Sequence, residues 1–152
     1  MMLCTVGEMA KELGVAPSTL RYYDKEGLLP FVERSGGGIR VFQDKDRAAL
    51  AVIECLKRTG LSIKEIKAFM DWCREGDATI GQRLELMERQ REAVKAQIAR
   101  MEDTLALLEY KCWYYETAKR AGTCAGLEDL KKEDVPEAMR PAWEKAHGSS
   151  GI

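Results

Sequence analysis

A chain of 152 residues has room for one ordinary domain, or for a small domain with an extension, and for a single modest core. Its 24 Lys and Arg stand against 25 Asp and Glu, so net charge supplies no pull toward nucleic acid or an acidic membrane. No stretch approaches the ~20 apolar residues of a membrane-spanning helix and no apolar leader precedes the first predicted helix. Five cysteines, Cys4, Cys55, Cys73, Cys112 and Cys124, fall into no disulfide spacing, so the expected setting is the cytoplasm with thiols reduced.

In chain order, Thr5-Val6-Gly7-Glu8 is a capping box that opens a helix at about Val6. Met9, Ala10 and Leu13 form its buried face, and Gly14 ends it. The stretch Val15 to Pro30 then predicts a second short helix, with Pro17 at the first helical position and Gly27 as the stop. Leu20 is its core residue. Around it Ser18, Thr19, Arg21, Tyr22 and Tyr23 crowd hydrogen-bond donors onto the first turns, where they suit phosphates and base edges. Two short helices joined by a tight glycine turn predict a helix-turn-helix, whose second helix enters the major groove.

At these residues the string TVGEMAKELGVAPSTLRYYDKEGLL resembles the opening of the MerR-type transcription regulators, whose hallmark T-L-R-Y-Y, acidic residue and G-L falls within Thr19 to Leu29. Two positions depart from that pattern. Ala16 stands where a capping Ser or Thr is usual, weakening the helix start by ~1 kcal/mol, and Ile39 stands where a tyrosine often precedes the wing arginine.

Phe31 to Phe42 has β-prone ends around Ser35-Gly36-Gly37-Gly38 and predicts a hairpin. A hairpin placed directly after a recognition helix is a wing, and Arg34 and Arg40 on either side of its turn are candidates for phosphate or minor-groove contact. From Met1 to Gly60 nine basic residues face eight acidic ones, so DNA affinity must rest on such local placement. Asp44 is expected to cap a third helix, about Lys45 to Thr59, with Leu50, Ile53 and Leu56 inward. Gly60 closes it. Ser62 and Glu65 make a second capping box, opening a helix with Ile63, Ile66, Phe69 and Met70 inward. The string from Cys55 to Met70 is similar to the family's second helix pair, which extends the resemblance from Thr5 to about Gly76.

Thr79 with Gln82 gives a third expected box. Beyond it apolar residues recur at Ile80, Leu84, Met87, Val94, Ile98, Met101, Leu105, Leu108, Cys112 and Tyr115, a heptad seam interrupted at Arg91. A helix reaching about Lys119 would be roughly 60 Å long, more than one chain of this size can cover. No second seam of comparable length exists within the chain, so a homodimer is expected. The resemblance implies an antiparallel pair of such helices. The tail from Ala121 onward, with Leu127, Leu130, Val135, Met139 and Trp143, predicts short helical turns, with His147 and the last residues disordered.

Other chemistries find little support. A single histidine, no glycine loop between strand and helix, and no nucleophile near a base argue against an enzyme and call for no cofactor. Metal-responsive relatives carry paired cysteines in the loop after the long helix, and Cys112 and Cys124 are the corresponding candidates. Cys112, however, occupies a seam position suited to a small apolar residue, and no histidine lies near to complete a site. Cys55 lies where some aldehyde-responsive members carry a cysteine, with Arg58 on the same helix face to favour a thiolate; the competing expectation is a structural cysteine at the edge of the helix core. Trp72, Trp113, Tyr114, Tyr115 and Trp143 would either line a ligand pocket or pin the tail.

The expected fold is mainly α with a small wing: a winged helix-turn-helix domain over residues 1–76, a dimerisation helix over 79–119 forming an antiparallel coiled coil, and a tail over 120–152 as a possible effector-contact region. The resemblance implies a dimeric regulator that binds double-stranded DNA at an inverted-repeat operator and distorts the promoter for RNA polymerase in response to an effector. Its alternative form is a thiol, aldehyde or metal sensor using Cys55 or Cys112 and Cys124.

Overall fold

A computed structural model describes residues 3–148. Eight regular elements follow in order: α1 (Val6–Leu13), α2 (Pro17–Lys25), β1 (Glu33–Arg34), β2 (Arg40–Val41), α3 (Asp44–Arg58), α4 (Ile63–Glu75), α5 (Ile80–Ala121) and α6 (Arg140–Gly148). The chain divides into two compact units, the first ending at Ala93 and the second beginning at Val94.

In the first unit, α1 starts where Thr5 and Glu8 satisfy each other: the Glu8 N–H donates to Thr5 Oγ1, and the Thr5 N–H donates to Glu8 Oε2 at 2.8 Å. Gly14 leaves the helix at φ 68°, a left-handed conformation that a side chain rarely tolerates, and this turns the chain into α2. As expected from Ala16, no side chain caps α2; Pro17 alone starts it. Gly27 has φ 79°, a left-handed conformation that favours glycine, and a Cβ there would stand 3.1 Å from the end of the Lys67 side chain on α4, which would have to give by a few tenths of an ångström. Beyond it Leu28 and Leu29 turn fully inward.

The hairpin pairs Glu33 with Val41 and Arg34 with Arg40. Phe42 exchanges both backbone hydrogen bonds with Cys4, at 3.0 and 2.9 Å, a rung from the start of the chain that no local pattern announces. The cap of α3 is Gln43 rather than Asp44. Asp46, three residues into the helix, reaches back to accept the Gln43 N–H at 2.8 Å, while Asp44 is the first helical residue and pairs with Arg47. Ser62 and Glu65 form their box as expected. Thr79 and Gln82 do not. Thr79 ends a single 3₁₀ turn, Asp77–Thr79, and its buried hydroxyl donates back to the Trp72 and Gly76 carbonyls, so α5 grows out of that turn without a capping box.

Met9, Leu20, Tyr23, Leu28, Phe42, Leu50, Ile53 and Ile66 are the fully buried centre of this unit. Leu86, off the heptad seam, joins the same core from α5.

In the second unit the tail packs on α5. Tyr110, Val135 and Ala142 are buried together, with Ala106, Trp113, Tyr114, Met139 and Trp143 around them. Two 3₁₀ turns, Lys132–Asp134 and Glu137–Met139, lead into α6. Arg140 Nε donates to the Val135 carbonyl at 3.0 Å and Lys145 pairs with Asp103 at 2.7 Å. Trp113, Tyr114 and Trp143 therefore pin the tail, whereas Trp72 packs on the core of the first unit and Tyr115 is exposed. His147, expected to be disordered, lies within α6 with its ring stacked on Trp143 at 4.6 Å; residues 149–152, for which disorder was also expected, lie outside the described residues.

Among the described residues nothing covers the heptad seam. Ile80, Leu84, Ile98, Met101, Leu105, Leu108 and Tyr115 are 53–69 % exposed, and Cys112 is exposed with them. Among the described residues no helix is long and apolar enough to cross a membrane.

Candidate nucleic-acid interface

Packing decides which side chains of α2 face outward. Leu20 and Tyr23, three apart, form the inner stripe. Ser18, Arg21 and Tyr22 are exposed on the opposite side, and Lys25 continues the same i, i+3, i+4, i+7 face; Thr19 is half-buried at its margin. Lys25 is a member of this face that the donor-rich string from Ser18 to Tyr23 did not single out, although the helical spacing from Ser18 contains it.

Tyr23 corrects the expectation of a DNA contact. It is 0 % exposed, and its hydroxyl donates to Glu54 Oε1 on α3 at 2.6 Å, with Lys57 Nζ 5.3 Å from the ring centre. Burial first, and then the hydrogen bond and charge of Glu54, raise the phenol well above its ordinary range, so it stays a neutral donor to Glu54. Tyr23 fastens α2 to α3, whereas Tyr22, its neighbour, is exposed.

Both wing arginines are brought to α2. Arg34 Nη2 and Arg40 Nε donate to the same oxygen, Asp24 Oδ2, at 2.9 and 2.7 Å. Arg34 also donates through Nη1 to the Gly38 carbonyl across the wing turn, at 3.0 Å. The exposed reading face and the wing thus form one continuous surface, with Ile39 at the wing tip. Behind it, Arg47 on α3 pairs with Glu12 on α1 at 2.9 Å.

Cys55 falls differently from expectation. Ile53 and Leu56 are buried, but Cys55 between them points outward and is exposed, so it does not belong to the core of α3. Arg58 is exposed on the same helix. Cys112 and Cys124 are exposed too, and no cluster of three or more His, Cys, Asp or Glu that could hold a metal forms among the described residues. Burial, and then the charge of Cys124, raise the Tyr114 hydroxyl above its ordinary range.

A helix pair in which the second helix presents hydroxyl, guanidinium and ammonium groups on one face, flanked by a hairpin carrying two arginines, is a winged helix-turn-helix DNA-binding protein. The family described as "MerR HTH family regulatory protein" matches residues 4–72, and that described as "MerR, DNA binding" matches residues 47–110. An HTH-type transcriptional regulator of Haemophilus influenzae, described as uncharacterized, is 48% identical over 136 residues, covering 90% of this chain and 98% of that one. The crystal structure of HiNmlR, a MerR family regulator lacking the sensor domain and bound to promoter DNA, is 47% identical with a TM-score of 0.74, covering 81% of this chain and 98% of that chain. A MerR family regulator from Bacillus thuringiensis is 42% identical with a TM-score of 0.68, covering 73% of this chain and 97% of that chain. The chain belongs to the MerR family of DNA-binding transcription regulators.

Proposed function

We propose that the chain acts in the cytoplasm as a homodimer, by binding rather than by catalysis, and that it reads an inverted-repeat operator with one α2 in each half-site. Arg21, Tyr22 and Ser18 face the major groove, with Thr19 and Lys25 at the edges of that face. Arg40, with Arg34 behind it, meets the flanking backbone. Bending or untwisting the promoter costs of order 1–6 kcal/mol, and an effector that favours one dimer geometry shifts that balance and the presentation of the promoter to RNA polymerase. The observation that carries this reading is the single outward face Ser18, Arg21, Tyr22, Lys25 adjoining the wing, on a molecule whose seam is left uncovered.

The test is footprinting on an operator selected from random-sequence DNA by the full chain. Two protected half-sites related by a twofold axis, with centres a multiple of about 10–10.5 base pairs apart, are expected. Arg21→Ala and Tyr22→Ala should each lower operator affinity about tenfold or more while leaving thermal stability nearly unchanged, as each bidentate or base-edge contact is worth about 1–3 kcal/mol. A single protected half-site, or wild-type affinity in both variants, refutes the reading.

The exposure of Cys55 favours a second reading, in which thiol-reactive compounds such as aldehydes are the effectors. Transcription from the natural promoter, with and without aldehydes, zinc and copper, is compared between the wild type and Cys55→Ser, Cys112→Ser and Cys124→Ser. Induction abolished by Cys55→Ser alone supports this reading, and induction untouched by all three removes it.

A further inference from the structure

We propose that Asp24 is a positioning residue for DNA binding: by holding both wing arginines on the reading helix, it fixes the wing's angle and aims Arg40 at the DNA backbone. The inference rests on the reading of Arg40 as a backbone contact. Three observations carry it.

The first is convergence. Two guanidinium groups from opposite strands of the hairpin end on one carboxylate oxygen, and that carboxylate belongs to the reading helix itself. The Asp24 and Arg40 side chains are only 20% and 21% exposed, so this is a partly sheltered pair with more authority over geometry than an ion pair open to water.

The second is the weakness of the wing without this tie. Its strands are two residues each, and a two-stranded hairpin of that length is not stable alone. The Cys4–Phe42 rung anchors its base. The part near the turn is held to α2 through Asp24.

The third is the division of labour between the arginines. Arg34 uses one terminal nitrogen on Asp24 and the other on the Gly38 carbonyl, so it braces the turn. Arg40 reaches Asp24 through Nε, which leaves its two terminal amino groups for another acceptor. A guanidinium anchored at Nε presents those amino groups in one orientation, and that orientation suits a phosphate. The carboxylate also repels DNA phosphates, from the far side of the guanidinium that would stand between them, so the two effects act in opposite directions and the sign of the change in affinity on removing Asp24 separates them.

The experiment uses the full chain and an operator duplex selected from random-sequence DNA, with affinity measured by fluorescence anisotropy across a salt series. Asp24→Ala should weaken binding about tenfold and make the slope of log K against log salt shallower by about 0.9, the value of one phosphate contact, and Arg40→Ala should do the same. The double variant Asp24→Ala with Arg40→Ala should bind no worse than Arg40→Ala alone, and Asp24→Glu should recover part of the loss. Asp24→Asn, which keeps the shape of the side chain, repeats the test independently of any folding defect in the alanine variant. Wild-type or tighter binding by both Asp24→Ala and Asp24→Asn overturns the proposal, because Asp24 would then only compete with DNA for the arginines. A double variant that loses the full product of the single effects overturns it too. Wild-type affinity in Arg40→Ala would instead refute the wing contact itself, and the positioning role with it.

Discussion

Leu105→Asp is the sharpest test of why α5 carries an uncovered seam. Full burial of a Leu, Ile or Met side chain is worth about 1.5–3 kcal/mol, and the seam residues are little more than half exposed, so pairing gains about 1 kcal/mol at each. With both copies contributing, the apolar gain reaches about 15 kcal/mol, set against an association cost of about 4–15 kcal/mol. The balance spans about 0–11 kcal/mol, and a dimer at micromolar concentration corresponds to about 8 kcal/mol within it. Leu105→Asp removes about 1 kcal/mol of that gain in each copy and buries a carboxylate beside Met101 and Leu108, which costs several kcal/mol more if the pair persists. Because each dimer carries the lesion twice, the dissociation constant should rise by at least about a thousandfold. Sedimentation equilibrium across the micromolar range reads both species, and far-UV circular dichroism checks that the variant chain remains helical. A wild type that sediments as single chains, or a Leu105→Asp variant that dimerises as tightly, would show that the seam is not the pairing surface.

Tyr23→Phe should lower stability by about 1–2 kcal/mol in urea unfolding, since it deletes the hydrogen bond to Glu54, while operator affinity stays at the wild-type level. Loss of affinity without loss of stability would return Tyr23 to the reading face. Alkylation of the native protein should modify Cys55 and Cys73 readily, whereas Cys112 should be protected at concentrations where the dimer forms and become reactive on dilution. Protection of Cys112 that does not change with concentration would place its cover within the chain. Glu8 and Glu65 are held below the usual carboxylate range by the backbone N–H groups of Thr5 and Ser62. Their contribution to stability is therefore fully present above the unfolded pKa of about 4.3 and is lost as pH falls through the lower folded values. Thermal melting from about pH 6 to pH 3 should show a decline that is shallower in the Glu8→Gln, Glu65→Gln double variant, and an unchanged profile would refute the coupling.

Local rules were the most legible part of this chain. The Thr5 and Ser62 boxes bind residues three apart, so nothing distant can overrule them easily, and both form. The Thr79 box did not form because its buried hydroxyl turns back to the Trp72 and Gly76 carbonyls, seven and three residues earlier, instead of toward α5. Tyr23 was misread because adjacent hydroxyls look alike in a string. Its spacing of three from Leu20 placed it on the inner face, and that signal outweighs its polarity. Cys55 shows the reverse error, since free cysteine is usually buried but here falls between two inward residues. The Cys4–Phe42 rung, Leu86 in the first core and the convergence of Arg34 and Arg40 on Asp24 join residues whose partners no short-range pattern names.

Were the seam to pair two copies, the packing of the tail would bear on whether association stops at the pair. At ~100° per residue, the stripe Ile98, Met101, Leu105, Leu108 and the stripe Ala106, Tyr110, Trp113, Tyr114 lie roughly 150° apart around α5. A helix sticky on one side makes a pair and stops, because each surface is consumed by its mate. A helix sticky on two nearly opposite sides can pass association from copy to copy without limit. By folding Val135, Met139, Ala142 and Trp143 over the second stripe, each chain blocks that side with its own residues. If the seam pairs two copies, the tail would act as a terminator of assembly, and a chain cut after Ala121 would be prone to open-ended aggregates.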